Sequence, residues 1–341
     1  MLNPTENSFQ NQSIEELQTY LSKPMMDLTQ FLEGQIDAFE PQIRHLVDYC
    51  LKNSGKRIRP SLVFLSGEKD NPSVFNKLIQ VSAVVEMVHI ATLVHDDVLD
   101  GANKRRGQPT ISSKFGQHTA VLLGDALFSH ALHLASQFDT VEVCRLVSKS
   151  TRRVCSGEIL QTFRRGDWKL SLEDYLEMLD MKTGELFSIS TYLGGLLSGY
   201  SKEDCDILRK FGAELGVAYQ AYDDLTDFIG DENKIGKTLG TDLTTGKATL
   251  PLIQLFQLND PIATESMTKA LEHSDLTKAR EILVSYGIYD QSISFVSGLW
   301  EQAVNTLLDL PSEIPAKENL NSISQLLRMK LDELELSRVG T

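Results

Sequence analysis

One stretch constrains the fold more than any other. Residues 77–99 read KLIQVSAVVEMVHIATLVHDDVL, apolar nearly all the way round at the helical period. A helix without a polar face has to be buried, and the middle of a large bundle is where such helices sit. Residues 13–51, 118–138, 140–163, 171–199, 202–229, 248–258 and 322–336 follow the same period. Gly and Pro punctuate the gaps, notably at 55–60, 101–109 and 230–246. No segment alternates like a strand, and no dinucleotide-type glycine fingerprint follows one. The expectation is an all-α chain of ten or more helices. No linker or composition break divides it, so residues 14–341 are expected to form a single domain after a polar N-terminal tail, 1–13.

Of the 341 residues, 41% are hydrophobic, enough for a sizeable core. The 33 Lys and Arg against 47 Asp and Glu leave a net charge of −14, which repels nucleic acid. Cys50, Cys144, Cys155 and Cys205 show no CxxC spacing and read as isolated thiols of a reducing compartment. The opening MLNPTENSFQNQS has neither a basic start nor an apolar run, so no signal peptide is expected. Nor does any run of about 18 apolar residues suggest a transmembrane helix. A cytoplasmic protein is expected, with peripheral membrane contact left open.

The apolar helix ends in charge. Asp96, Asp97 and Asp100 stand at i, i+1, i+4, and Asp223, Asp224 and Asp227 repeat the spacing in YDDLTD. On a helix the outer pair of each triad shares one face, with the middle aspartate swung aside. Like charges at i, i+4 cost about 0.2–0.5 kcal/mol in water. Among Leu93, Val94, Val98 and Leu99 desolvation adds to that cost, so something positive must compensate. A few hard oxygen ligands suit Mg²⁺, which keeps waters and completes its shell with phosphate oxygens. A single triad is more often a solvated acidic face; two, each followed by a basic glycine loop, point to metal. The loops that follow are NKRRGQPT with Arg105 and Arg106, and GDENKIGKTLGTDLTTGKATLP with Lys237 and Lys247; a third, GKRIRP with Lys56 and Arg59, precedes the first triad. Arg grips phosphate bidentately, Lys acts as a point charge, and glycine lets the backbone approach an anion.

Taken in order, GKRIRP, MVHIATLVHDDVLD, RRGQPT, Gly124-Asp125, the Gly157, Glu158 and Gln161 set, KTGEL, YQAYDDLTD and GTDLTTGKATLP resemble the trans-isoprenyl diphosphate synthases, long-chain branch. The likeness covers residues 50–255. It implies an isoprenoid synthase bundle around a deep central cavity. It implies Asp96, Asp100 and Asp223 as Mg²⁺ ligands, with Asp97, Asp224 and Asp227 ligating or holding the ions through water, three ions once substrate is bound. It assigns Lys56, Arg59, His89 and Arg106 to the diphosphate of isopentenyl diphosphate. Arg105, Lys182, Gln220, Lys237 and Lys247 go to the allylic diphosphate. Thr183 and Gln161 would face the reacting carbons. A homodimer is expected. Two departures are visible: Ser54-Gly55 replaces the frequent Gly-Gly, and Gly184 replaces the commoner Ala after Lys182-Thr183.

The chemistry implied is ionisation of the allylic diphosphate, attack by the double bond of isopentenyl diphosphate, and loss of a proton. No strong base is needed. In this family a bulky residue four or five positions before the first Asp stops growth; here those positions are Thr92 and Ala91. Ala91 lies about 7.5 Å down the axis from Asp96. Val88 and Met87, one turn deeper, are not aromatic. A long product, about C30–C45, is expected. A shorter geranylgeranyl- or farnesyl-type product and a subunit of a heteromeric synthase stay open as alternatives. His95, beside the triad, reads as structural or as a support behind the liganding aspartates, and Phe163, Trp168 and Tyr222 read as packing residues.

Overall fold

The computed structural model describes residues 4–52, 55–229, 240 and 245–339. Helices dominate them. They are α1 (Pro4–Gln35), α2 (Arg44–Lys52), α3 (Ile58–Ser66), α4 (Pro72–Leu99), α5 (Ile111–Phe115), α6 (Gln117–Ser136), α7 (Val141–Phe163), α8 (Leu172–Leu179) and α9 (Glu185–Leu197). There follow α10 (Lys202–Ile229), α11 (Leu250–Gln257), α12 (Pro261–Glu272), α13 (Leu276–Ser285), α14 (Ile288–Thr306) and α15 (Ala316–Val339). The expectation of ten or more helices holds. Residues 4–13, read as a polar tail, are the first turns of α1. One small sheet was not expected: β1 (Lys104–Arg105) pairs antiparallel with β2 (Gln108–Pro109). Two-residue strands are too short to show alternation.

Contacts divide the chain into two compact units, each built from three stretches. The first comprises residues 1–151, 186–212 and 306–326; the second comprises 152–185, 213–305 and 327–341. In the first, α4 packs chiefly on α6, with α3 and α1 beside it. Asn71 caps α4 through Ser73 N at 3.1 Å and Pro72 opens it, as suits a first turn. Gly101, at φ +62°, ends it in the left-handed conformation. By length and composition α4 could cross a membrane, but 72% of its apolar stretch is buried inside the protein, which marks a core helix. Gly194 lets α9 lie against α3: a Cβ there would meet the Val63 carbonyl oxygen at 2.6 Å. The second unit has its own core, with Phe228, Leu252, Leu255, Met267 and Leu283 fully buried and Trp168 packed on them.

Candidate active site

In the first unit, α4 delivers the first triad as the spacing predicted. Asp97 is 5% exposed, while Asp96 and Asp100 are only half-buried. Arg105 compensates the buried charge, placing Nε and Nη2 both 2.8 Å from Asp97 Oδ1. Burial pushes the Asp97 carboxyl up and Arg105 pulls it down. The sequence assigns Arg105 to substrate; here its guanidinium sits on Asp97. His95 lies against Gly124, where a Cβ would clash with the imidazole, and its Nε2 is 3.0 Å from the Val121 carbonyl and 3.5 Å from Asp125. The Gly-Asp pair of the motif therefore houses the histidine beside the triad.

The β1–β2 hairpin turns through Arg106 and Gly107, at φ +51° and +77°. Positive φ at both centre positions is the tight hairpin turn whose twist matches the strands. For arginine that conformation costs about 1 kcal/mol, a strain typical of functional positions. The turn lays the Arg106 guanidinium on Gly55, where a Cβ would occupy the same space. Arg57, also left-handed, points elsewhere, to Thr29 Oγ1 at 2.5 Å. Arg59 lies over the Phe187 ring at 5.1 Å. His89 stands among these cations. Burial first, then Arg59, Arg106 and Arg105, hold its imidazole well below the usual range, so it is neutral at pH 7. Glu86, one turn before it and 1% exposed, was missed in the sequence. Burial raises its carboxyl, and Arg59, Arg57 and Arg106 oppose the rise. It stands within electrostatic reach of these arginines, and a lone acid in an apolar helix was the available signal. Lys56 is exposed on the same loop. Below the triad, Ala91, Met87 and Val88 are buried, and Thr92 commits its hydroxyl to the His89 carbonyl at 2.7 Å, so its methyl is what remains to line a surface.

In the second unit, α8 runs into a wider helical turn, Asp180–Gly184, which holds Lys182 and Thr183. Such single wide turns recur at functional sites. Lys182 Nζ lies 2.5 Å from Glu158 and 3.0 Å from Gln161 Oε1, so the structure brings Lys182 and Gln161 together. Gly184 has a physical reason: a Cβ there would come within 2.7 Å of Asp180 Oδ1 and 3.2 Å of the Ala213 carbonyl. Asp223 is half-buried, but Asp227 is 1% exposed, so this outer pair is not equally accessible. Asp224 accepts from Tyr175 Oη and from Gln220 Nε2, both at 2.8 Å. Burial raises its carboxyl to about 6 against those two bonds, and Lys247 also opposes the rise. Tyr175, too, was missed in the sequence; it lies 49 residues from its partner, and no local pattern reveals such a contact. Phe163 is no packing residue: it is 79% exposed. Lys237 lies outside the described residues.

The donor set fits Mg²⁺. Among the described residues no three His, Cys, Asp or Glu side chains converge on one point. Two carboxylates one helical turn apart, beside arginines, instead suit an ion that takes its remaining ligands from water and a diphosphate.

Over residues 40–286 the chain matches the polyprenyl synthetase family. Octaprenyl diphosphate synthase of Escherichia coli (strain K12) is 30% identical over 263 residues, 77% of this chain and 81% of that protein. Heptaprenyl diphosphate synthase component 2 of Bacillus subtilis (strain 168) is 36% identical over 242 residues, 68% of this chain and 69% of that one. The crystal structure of polyprenyl synthase from Caulobacter crescentus CB15, complexed with calcium and isoprenyl diphosphate, matches with a TM-score of 0.83 at 28% identity, over 92% of this chain and 97% of that one. The matched span takes in both triads, both described arginine loops and the Lys182-Thr183 turn, and the chain belongs to the polyprenyl synthetase family of prenyltransferases.

Proposed function

We propose that the chain condenses isopentenyl diphosphate onto an allylic diphosphate and repeats the step to an all-trans product of about C30–C45. The observation that carries this is that each compact unit presents an aspartate triad beside cations, the first held by Arg105 and the second bonded to Tyr175 and Gln220 within electrostatic reach of Lys247. Arg59, Arg106 and Lys56, with neutral His89 as a hydrogen-bond donor, bind the diphosphate of isopentenyl diphosphate. Lys182, Arg105, Lys237 and Lys247 take the allylic diphosphate. Asp96, Asp100 and Asp223 are assigned as direct ligands of Mg²⁺, three ions with substrate bound, and Asp97, Asp224 and Asp227 hold that shell. Bound Mg²⁺ supplies Lewis-acid neutralisation of the leaving diphosphate. Thr183 and Gln161 present oxygen dipoles to the developing allylic cation, and apolar helices keep water from it. The long product is supported by relatives named for seven- and eight-unit chains. Small residues at Ala91 and Thr92 support it as well.

A cytoplasmic homodimer is part of the proposal. Leu122 on α6 is 68% exposed, an apolar surface that pairing would cover. Light scattering should give twice the 38.1 kDa chain mass. The name of the Bacillus relative, a component 2, favours one second possibility, the catalytic subunit of a two-component synthase. One experiment separates them. Purified chain, Mg²⁺, isopentenyl diphosphate and each of several allylic primers are incubated, and products are resolved by length. Elongation by the chain alone supports the stand-alone enzyme, with EDTA abolishing it and Mg²⁺ restoring it. No elongation with any primer refutes it.

A further inference from the structure

Tyr175 is 2% exposed on α8, and its hydroxyl takes part in a directed hydrogen-bond chain. Tyr175 Oη donates to Asp224 Oδ2, Gln220 Nε2 donates to Asp224 Oδ1, and Thr183 Oγ1 donates to Gln220 Oε1, each at 2.8 Å. The directions follow from chemistry. A carboxylate only accepts, so tyrosine and the glutamine amide nitrogen must donate to it. With that nitrogen turned to Asp224, the glutamine carbonyl faces Thr183 and can only accept. The single hydroxyl proton of Thr183 is thereby committed, and its oxygen is left as a lone-pair dipole.

The backbone makes this possible. Gln220 and Asp224 are one turn apart on α10, so they present one face. Tyr175 and Thr183 are eight residues apart, which on a regular helix leaves them about 80° out of line at 100° per residue. The wide turn at Asp180–Gly184 absorbs about one residue and brings them to within about 20°. Thus the wide turn, otherwise a distortion, sets both hydroxyls against the same two side chains.

We propose that the Tyr175 hydroxyl is a positioning group for prenyl transfer: through Asp224 and Gln220 it holds the Thr183 oxygen as an acceptor dipole facing the allylic cation. This rests on the function proposed above. No bond to Tyr175 forms or breaks. Its contribution is orientation, paid out before the reaction begins, and it acts only through Thr183. Asp224 is here an organiser of donors, with both oxygens occupied by neutral groups.

A double-mutant cycle tests this. Wild type, Tyr175→Phe, Thr183→Val and the double variant are assayed for kcat and for KM of both substrates at saturating Mg²⁺. Tyr175→Phe and Thr183→Val should each lower kcat on the order of tenfold, as loss of one oriented bond in the transition state does. KM values should stay within about threefold, and the double variant should be no slower than Thr183→Val. A loss that multiplies in the double variant, or one confined to KM, overturns the proposal, because a general packing role would not depend on Thr183. If Tyr175→Phe is insoluble, Gln220→Leu enters the same cycle: its loss of kcat should vanish in the Thr183→Val background, and a loss that persists there sinks the relay. Wild type that elongates while Tyr175→Phe is unchanged refutes the positioning role alone. Wild type that fails to elongate refutes the function as well.

Discussion

Replacing Gly55 by alanine moves one atom into the space of the Arg106 guanidinium. The obstacle is the far end of a flexible side chain, so the fold can yield by letting Arg106 swing away. Gly55 is not among the glycines of positive φ, so alanine is tolerated there by the backbone and stiffens the unfolded chain, worth about 0.4–1 kcal/mol of stability. What is lost is position. The hairpin turn holds the Arg106 backbone in a strained left-handed conformation, which leaves only side-chain torsions to absorb the displacement. A charge-assisted hydrogen bond is worth about 1.5–3 kcal/mol. At 1.36 kcal/mol per decade, losing it weakens diphosphate binding by about 10- to 150-fold. The assay is steady-state kinetics with isopentenyl diphosphate varied at saturating primer. KM for isopentenyl diphosphate should rise by that factor, with kcat nearly unchanged and the melting temperature equal to or above wild type. An unchanged KM in a well-folded variant would show that Arg106 does not grip this substrate from the hairpin tip. Arg106→Asn is the complement: asparagine accepts the left-handed turn, so stability should hold while KM rises in the same way.

Ala91→Phe should shorten the product by at least one five-carbon unit by chromatography, with little loss of stability if position 91 faces the growing tail. Unchanged length together with a penalty of about 1–3 kcal/mol would mean that buried Ala91 is packed by protein instead. His89 should make stability fall in acid. Its folded pKa is depressed, so below the ordinary value of 6.5 the unfolded chain takes up a proton that the folded one excludes. Relative to His89→Gln, wild type should lose up to about 1.4 kcal/mol per pH unit below that point, measured by urea unfolding, and parallel profiles would refute this. Arg105→Gln should orphan buried Asp97 and destabilise by about 2 kcal/mol, less than the roughly 3–5 of a fully buried pair because the Arg105 side chain is 37% exposed. Adding Asp97→Asn should recover most of the melting temperature; no recovery would show that the pair is not what Arg105 contributes.

How much of this was readable before folding depends on the reach of each signal. The helices were legible because their apolar period runs for many turns, and α4 announced its burial by lacking a polar face. The triads and basic loops were legible because their chemistry is local. The hairpin was not, because Arg106 gives no hint of a left-handed backbone and only Gly107 marked the turn. Nor was the wide turn at Asp180–Gly184, since the helical pattern continues on both sides of it. The division into two compact units left no linker to see, because each unit is assembled from three separate stretches. Phe163 misled for the opposite reason: a large apolar residue closing a helix was assigned to packing, and it lies in the open.

The two triads share a spelling and solve the same problem in different ways. Each buries its middle aspartate, at 5% and 8% exposure. Asp97 meets a cation eight residues on in the chain, so its neutralisation is built by the local hairpin. Asp224 meets two neutral donors, one of them 49 residues away, and its carboxyl is raised to about 6 because hydrogen bonds offset only part of the burial cost. A charged partner offsets part of the burial cost, leaving the Asp97 carboxyl still raised, without dictating how neighbouring hydroxyls point. Neutral donors do the reverse: they leave charge behind and fix direction along Gln220 to Thr183. The first arrangement suits a site that gathers anions among arginines. The second suits a site that must aim an oxygen at a short-lived cation, and this is a division of labour that identical DDxxD spacing conceals.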